Sequence, residues 1–184
     1  ISGNRVGLGP EFENGILSLG SLALSMVGII SLAPVLAKLL RPVVVPVYRV
    51  LGADPAMFAG TILANDMGGA PLAQELAGSP EAAKLGGLLV GAMLGATVVF
   101  TIPVALGILD PEDRPALAKG VLSGIVTIPV GVLVGGLVAG FPVGMVLRNL
   151  IPIVLIALLI ALGLWKWERG MIRGFAVFGK IIVA

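Results

Sequence analysis

The 184-residue sequence contains no cysteine and no histidine. That removes disulfides, thiolate nucleophiles, Ser/His and Cys/His catalytic pairs and the usual zinc ligands. In a chain that lies mostly in lipid, missing cysteine does not report the redox compartment. Charge is scarce as well. Lys, Arg, Asp and Glu make up 12% of the chain, against about 25% in an ordinary soluble domain. Phosphate loops, a GxGxxG after a strand, HExxH and GxSxG are all absent. A membrane-embedded hydrolase working with two aspartates would need a second acid at depth, and none is found. The expectation is a non-enzyme with no cofactor and no metal centre.

What fills the chain is apolar. Hydrophobic residues reach 58% and mean hydropathy is +1.11, which leaves too little polar surface to cover a globule in water. The class is an all-α integral membrane protein, partnered by the lipid bilayer. Its 27 Gly and 13 Pro suit membrane helices, where small residues let backbones pack closely. Disordered chains rich in Gly and Pro lack this hydrophobicity. The net charge of +2 and pI near 9.3 come from a few loop cations. They speak to topology rather than to nucleic-acid binding, which is not expected. The opening ISGNRVGLGPEFENG is polar, lacks Met and shows no signal peptide, as expected for part of a longer protein.

Crossing the hydrocarbon core takes about 20 apolar residues. By that measure the chain reads as a bundle of five to six spans with at least one broken helix. The first runs from about Ile16 to Ala37, carries Ser21, Ser25 and Gly28, and ends near Pro34, with Lys38 and Arg41 beyond it. Arg41 to Pro55 holds three prolines and is too short to span; it reads as interfacial, with Tyr48 near the headgroups, or as a short re-entrant piece. Asp54 and Pro55 are suited to cap and start a second span, Ala56 to about Leu76. The third, about Leu85 to Leu109, has Gly87, Gly91 and Gly95 on one face and an interruption at Thr101-Ile102-Pro103. After Asp110–Gly120, with Pro115 in a first turn, the fourth covers about Leu117 to Gly140. The fifth runs from Leu150 to Trp165, ends in the interfacial cluster Trp165, Lys166, Trp167 and Arg169, and precedes the start of a sixth at Phe175. Five crossings set eight cations on one side (Lys38, Arg41, Arg49, Arg114, Lys119, Lys166, Arg169, Arg173) against Arg5, Lys84 and Arg148. That count favours the first set as cytoplasmic.

Inside the second span lies Asp66, an acid that costs roughly 2.5–3.5 kcal/mol at the centre of a membrane helix unless it faces a cavity or partner. Gly68, Gly69 and Pro71 predict a helix break just after it, leaving carbonyls at the negative end of the first half-helix. Broken helices of this kind hold cations in transporters. Asn65 and Thr61 add neutral polar groups, and Met67, Gly68 and Gly69 add carbonyls. The bland reading is that Asp66 lies shallow and caps a helix beside a glycine turn. The tetrapeptide TIPV occurs twice, so Thr101, Pro103, Thr127 and Pro129 are candidates to line a path; two ordinary helix kinks explain them equally.

Three runs, LSLGSLALSMVGIISLAPVLAKLLRPVVVPVYRVLGADPAMFAGTILANDMGGAPLAQELAG, VVFTIPVALGILDPEDRPALAKGVLSGIVTIPVGVLVGGLVAG and NLIPIVLIALLIALGL, resemble the ethanolamine-utilisation membrane proteins of the EutH type. The resemblance implies a multi-pass permease for ethanolamine in a bacterial inner membrane. It also implies that residues 1–184 form a single but partial transmembrane domain lacking the first helix and second half. The family segment LACDMGG reads LANDMGG here, so Asn65 stands in place of a cysteine, and the loop after Gly140 is shorter than in family members. Ethanolamine is a protonated amine at neutral pH. Asp66 is the expected counter-charge, with Asn65, Thr61 and the carbonyls of Met67, Gly68 and Gly69 as expected partners of its hydroxyl and N–H groups. A different small cation, a proton-coupled solute, or a non-transporting scaffold acting through its loops are the other readings, and a homo-oligomer is left open.

Overall fold

A computed structural model describes residues 9–183, all helix and turn within that range. Residues 1–8, with Arg5, lie outside the described residues, as do the side chains of Ser21 and Ser25. Among the described residues, four helical stretches are long and apolar enough to cross a membrane: Met26–Val50, Pro80–Ile108, Arg114–Val138 and Val143–Lys180. Only 17–33% of each is buried inside the protein. Their apolar exteriors therefore face lipid, as expected of an all-α multi-pass bundle.

Helix α1 is a single element, Gly9–Val50, and does not stop near Ala37. Pro34, Pro42 and Pro46 lie inside it and are all exposed. They fall in one outward sector of the helix, so the lost N–H bonds open on the lipid side and leave the inner face intact. Ala33, Ala37, Val44 and Tyr48 form that inner face and are buried. The interfacial reading of Arg41 to Pro55 is thus corrected. Tyr48 is buried and packs edge-on against Phe58 with ring centroids 6.4 Å apart.

The larger correction concerns Ala56 to Leu76, which does not cross. It forms two short helices, α2 (Ala56–Ile62) and α3 (Ala70–Leu76), joined by an irregular bend. Asp54, just before α2, accepts through Oδ2 a hydrogen bond of 2.9 Å from the backbone N–H of Gly78, just after α3. Both feet of the unit therefore sit together, and the chain enters and returns on the same side as a re-entrant hairpin. Seven helical residues rise about 10 Å, which with the bend carries the tip into a hydrocarbon core of about 30 Å without crossing it.

The hairpin leans on the rod Pro80–Ile108. The rod starts as α4 (Pro80–Lys84), with the Ser79 hydroxyl capping Ala82 N–H at 3.2 Å. It continues through the π-wound stretches Leu85–Gly95 and Thr97–Thr101 into α5 (Ile102–Ile108). Thr101-Ile102-Pro103 marks a change of winding, not the expected interruption. Gly86 meets Ala56, Gly91 meets Asn65 and Gly95 meets Leu63, so rod and α2 descend side by side. A Cβ on Gly87 would lie 2.9 Å from both Ala70 and Ala73 of α3. The glycine face read from the sequence is thus the seat of the hairpin, with backbone against backbone.

Helix α6 (Arg114–Val138) has Pro115 in its first turn, as expected, and α7 (Val143–Val183) carries a non-helical residue at Trp167. Beyond Trp167 the chain does not start back across. Glu168 pairs with Lys119, Phe175 packs on Ile102, Ala118 and Leu122, and Lys180 shares a cleft with Arg114. The start of a sixth span is therefore replaced by a segment lying along the Asp110–Lys119 end. Four crossings and a hairpin stand where five to six crossings are expected, and the cations regroup. Lys38 falls at the middle of the span Met26–Val50. Of the other described cations, Arg41, Arg49, Lys84 and Arg148 share the hairpin's end, while Arg114, Lys119, Lys166, Arg169, Arg173 and Lys180 lie at the other. The eight-to-three asymmetry does not hold, because the hairpin moves everything after it to the opposite side.

Candidate functional site

The bend of the hairpin begins earlier than the glycine pair suggests. Leu63 and Ala64 are already extended, with ψ of 140° and 150°. Asp66 therefore lies inside the break rather than just before it. The chain turns through Met67 (φ −97°, ψ 36°) and Gly68 (φ +94°) before α3 begins. Gly68 is required twice over. Its φ is one that side chains rarely adopt, and a Cβ there would run into the Ile29 side chain of α1.

Backbone accounting shows which polar groups the bend leaves open. Ala64 O accepts from Met67 N and Gly69 N at 3.1 and 2.9 Å, and Asn65 O accepts from Ala70 N. The N–H groups at the start of α3 are thus spent on carbonyls. At the end of α2, Ala59 O accepts from Leu63 N at 2.9 Å. The carbonyls of Gly60, Thr61 and Ile62 lose their usual donors four residues on, because the chain there has left the helix. Pro71 has no N–H to offer Met67 O. The break therefore has acceptors in excess, at the negative end of α2.

Asp66 adds a full charge to that excess. Its side chain is exposed and makes no hydrogen bond or ion pair with the described residues. Asn65 is half-buried, with its backbone against Gly91, where a Cβ would lie 3.0 Å from Asn65 N. Thr61 stands one turn earlier, half-buried, donating its hydroxyl to Met57 O at 2.7 Å. The structure thus brings Asn65, Asp66, Met67, Gly68 and Gly69 into one bend, with Thr61 on the helix leading into it. No group of three His, Cys, Asp or Glu suited to a metal ion occurs among the described residues.

The four path candidates do not share a cleft. Thr101 lies with Thr97 in a groove of about 390 Å³ between the rod and α6. Pro129 lines a separate apolar groove between α6 and α7. Thr127 is exposed and donates to Gly124 O at 2.8 Å, and Pro103 is half-buried in the first turn of α5.

Sequence reasoning missed Tyr48 as a core residue, buried and edge-on to Phe58 of α2. It also missed Asn149, buried at the start of α7, whose Oδ1 accepts from Asp54 N at 2.6 Å. A lone amide before the apolar run Leu150–Leu164 was the available signal.

A sequence model of the family described as ethanolamine utilisation protein, EutH, matches residues 1–184. A protein of Listeria monocytogenes named "Probable ethanolamine permease EutH" is 63% identical over 183 residues, covering 100% of this chain and 49% of that protein. One of the same name from Escherichia coli is 54% identical over 191 residues, with 97% and 47% covered. A Bacillus subtilis protein named "Uncharacterized protein YxeR" is 53% identical over 180 residues, with 98% and 49% covered. The chain spans about half the length of the curated relatives it matches. No solved structure matches it.

Proposed function

The chain belongs to the EutH family of ethanolamine-utilisation proteins, and from that premise we propose that it serves uptake of ethanolamine as part of a permease in a bacterial inner membrane. Its relatives are named permeases, not enzymes, and the reading is of transport without covalent chemistry. The observation that carries it is the unpaired carboxylate of Asp66 in the hairpin bend, beside carbonyls without donors. Ethanolammonium is a small cation with three N–H donors and one hydroxyl. Asp66 neutralises its charge, and the open carbonyls of α2 and of Met67 take the remaining N–H groups. Asn65, with a donor and an acceptor, and Thr61, whose O–H is given to Met57 O and whose lone pairs accept, serve the hydroxyl. Gly68 and Gly69 keep the backbone close enough to take part. Thr101 and Thr127, with Pro103 and Pro129, are proposed only as lining elsewhere on the route.

The test is uptake of labelled ethanolamine by the full-length protein carrying Asp66→Asn. Uptake falls to background while the amount of protein in the membrane is unchanged. Undiminished uptake at low substrate concentration removes Asp66 from the site. Competition by other small amines in proteoliposomes then reads the substrate range, and a pH gradient reads coupling to protons.

A further inference from the structure

At the foot of the hairpin, away from the bend, a cleft of about 640 Å³ opens between α1, the two feet and the start of α7. It is lined by Arg41 and Arg49 of α1 and Arg148 of α7. Arg41, Val45 and Arg49 are four apart on one helical face, so both guanidiniums look into the same space. Arg41 donates one N–H to Glu75 O and Arg148 gives its Nε–H to Gly52 O. The Arg49 guanidinium makes no hydrogen bond or ion pair with the described residues. A guanidinium has five N–H donors, so most of the fifteen here are unspent.

The lining offsets the three charges only in part, so the cleft stays net positive. Asp54 is the one carboxylate there, and both its oxygens are taken by backbone N–H groups, Oδ1 by Ala56 and Oδ2 by Gly78, each at 2.9 Å. The ion pair among the described residues, Lys119 with Glu168, is at the opposite end. Three arginines converging on one cleft with free forks suit a planar or tetrahedral oxyanion held by paired hydrogen bonds. Left empty, the same charges would repel an ammonium ion arriving from this side.

We propose that this cleft binds a phosphate group, held by Arg41, Arg49 and Arg148. The site is distinct from the bend and does not depend on Asp66. The phosphate comes either from an anionic phospholipid headgroup or from free inorganic phosphate. A filled cleft ties α1 to both feet and to α7, and cancels the positive field at the hairpin's end.

The experiment uses the full-length protein in phosphatidylcholine nanodiscs, with thermal midpoint and native mass as readouts. One arm adds phosphatidylglycerol to the discs; the other titrates inorganic phosphate. A bound adduct and raised midpoint in the first arm alone assign a lipid headgroup, and in the second arm a free phosphate. Either response weakens roughly tenfold or more in Arg49→Gln/Arg148→Gln. It is retained in Arg114→Gln/Lys180→Gln, which removes as much charge at the other end, and in Asp66→Asn. If the first double variant does not fold, Arg49→Lys/Arg148→Lys keeps the charge but loses the forks and binds measurably more weakly. No response in either arm, or an equal response in the arginine and control variants, overturns the proposal.

Discussion

The hairpin contains two aspartates with opposite situations. Asp54 at the foot has both oxygens hydrogen-bonded to backbone N–H groups on the two legs. Asp66 at the bend has neither oxygen engaged by the described residues and stands exposed. One carboxylate is consumed in building the unit. The other is carried by the unit to a place where none of the described residues satisfies it. The two carboxylates, one engaged and one free of the described residues, lie within 13 residues.

The largest expected effect tests that separation directly. Asp66→Asn should cut ethanolamine uptake about a hundredfold or more, as when one partner of a desolvated charge pair is removed. The thermal midpoint of the purified protein should stay within a degree or two of wild type. A fall in midpoint comparable to the fall in uptake would make Asp66 structural too, and collapse the contrast. Next is Gly68→Ala, which meets both the left-handed φ and the Ile29 side chain. It should destabilise the bend by roughly 2–3 kcal/mol, read in chemical denaturation. Adding Ile29→Ala should recover the steric part and leave the dihedral part.

Asp54→Ala comes third. Losing the helix cap and the clasp on Gly78 should cost about 1–3 kcal/mol. Surviving protein should bind ethanolamine with near-normal affinity, the reverse of Asp66→Asn. Asp54→Asn keeps one acceptor and should cost about half as much. Smallest is Tyr48→Phe, which keeps the edge-on ring against Phe58 and removes only the hydroxyl, and should cost about 0.5 kcal/mol or less in stability. A larger loss in uptake than in stability would extend the site from the bend to α1.

The contrast also marks what the chain discloses before it is folded. Helical class, membrane residence and the unusual position of Asp66 follow from hydropathy and from one acid beside two glycines. Gly87, Gly91 and Gly95 named a close-packed face correctly, since a stripe without side chains has one use in a membrane helix. The sequence misled where length was the argument. Ala56 to Leu76 holds 21 residues, the right number for a crossing, and apolarity says nothing about which way two half-helices point. Only the meeting of Asp54 with Gly78 settles that. In α1, prolines suggested an end, but their effect depends on whether they face lipid or core, which spacing alone did not weigh. Thr101 and Pro129 were grouped because they share a tetrapeptide, and the fold sends them to different grooves.

The hydrogen bond from Asp54 N to Asn149 joins residues 95 positions apart. A ribosome adding about 5–20 residues per second takes on the order of ten seconds to make the second partner after the first. The two legs and the rod are made within that interval, while the foot of the hairpin has no amide to close on. The Asp54 clasp on Gly78 needs only 24 residues and can hold the legs together meanwhile. Chain order thus makes the local closure available first and the lock from α7 only later.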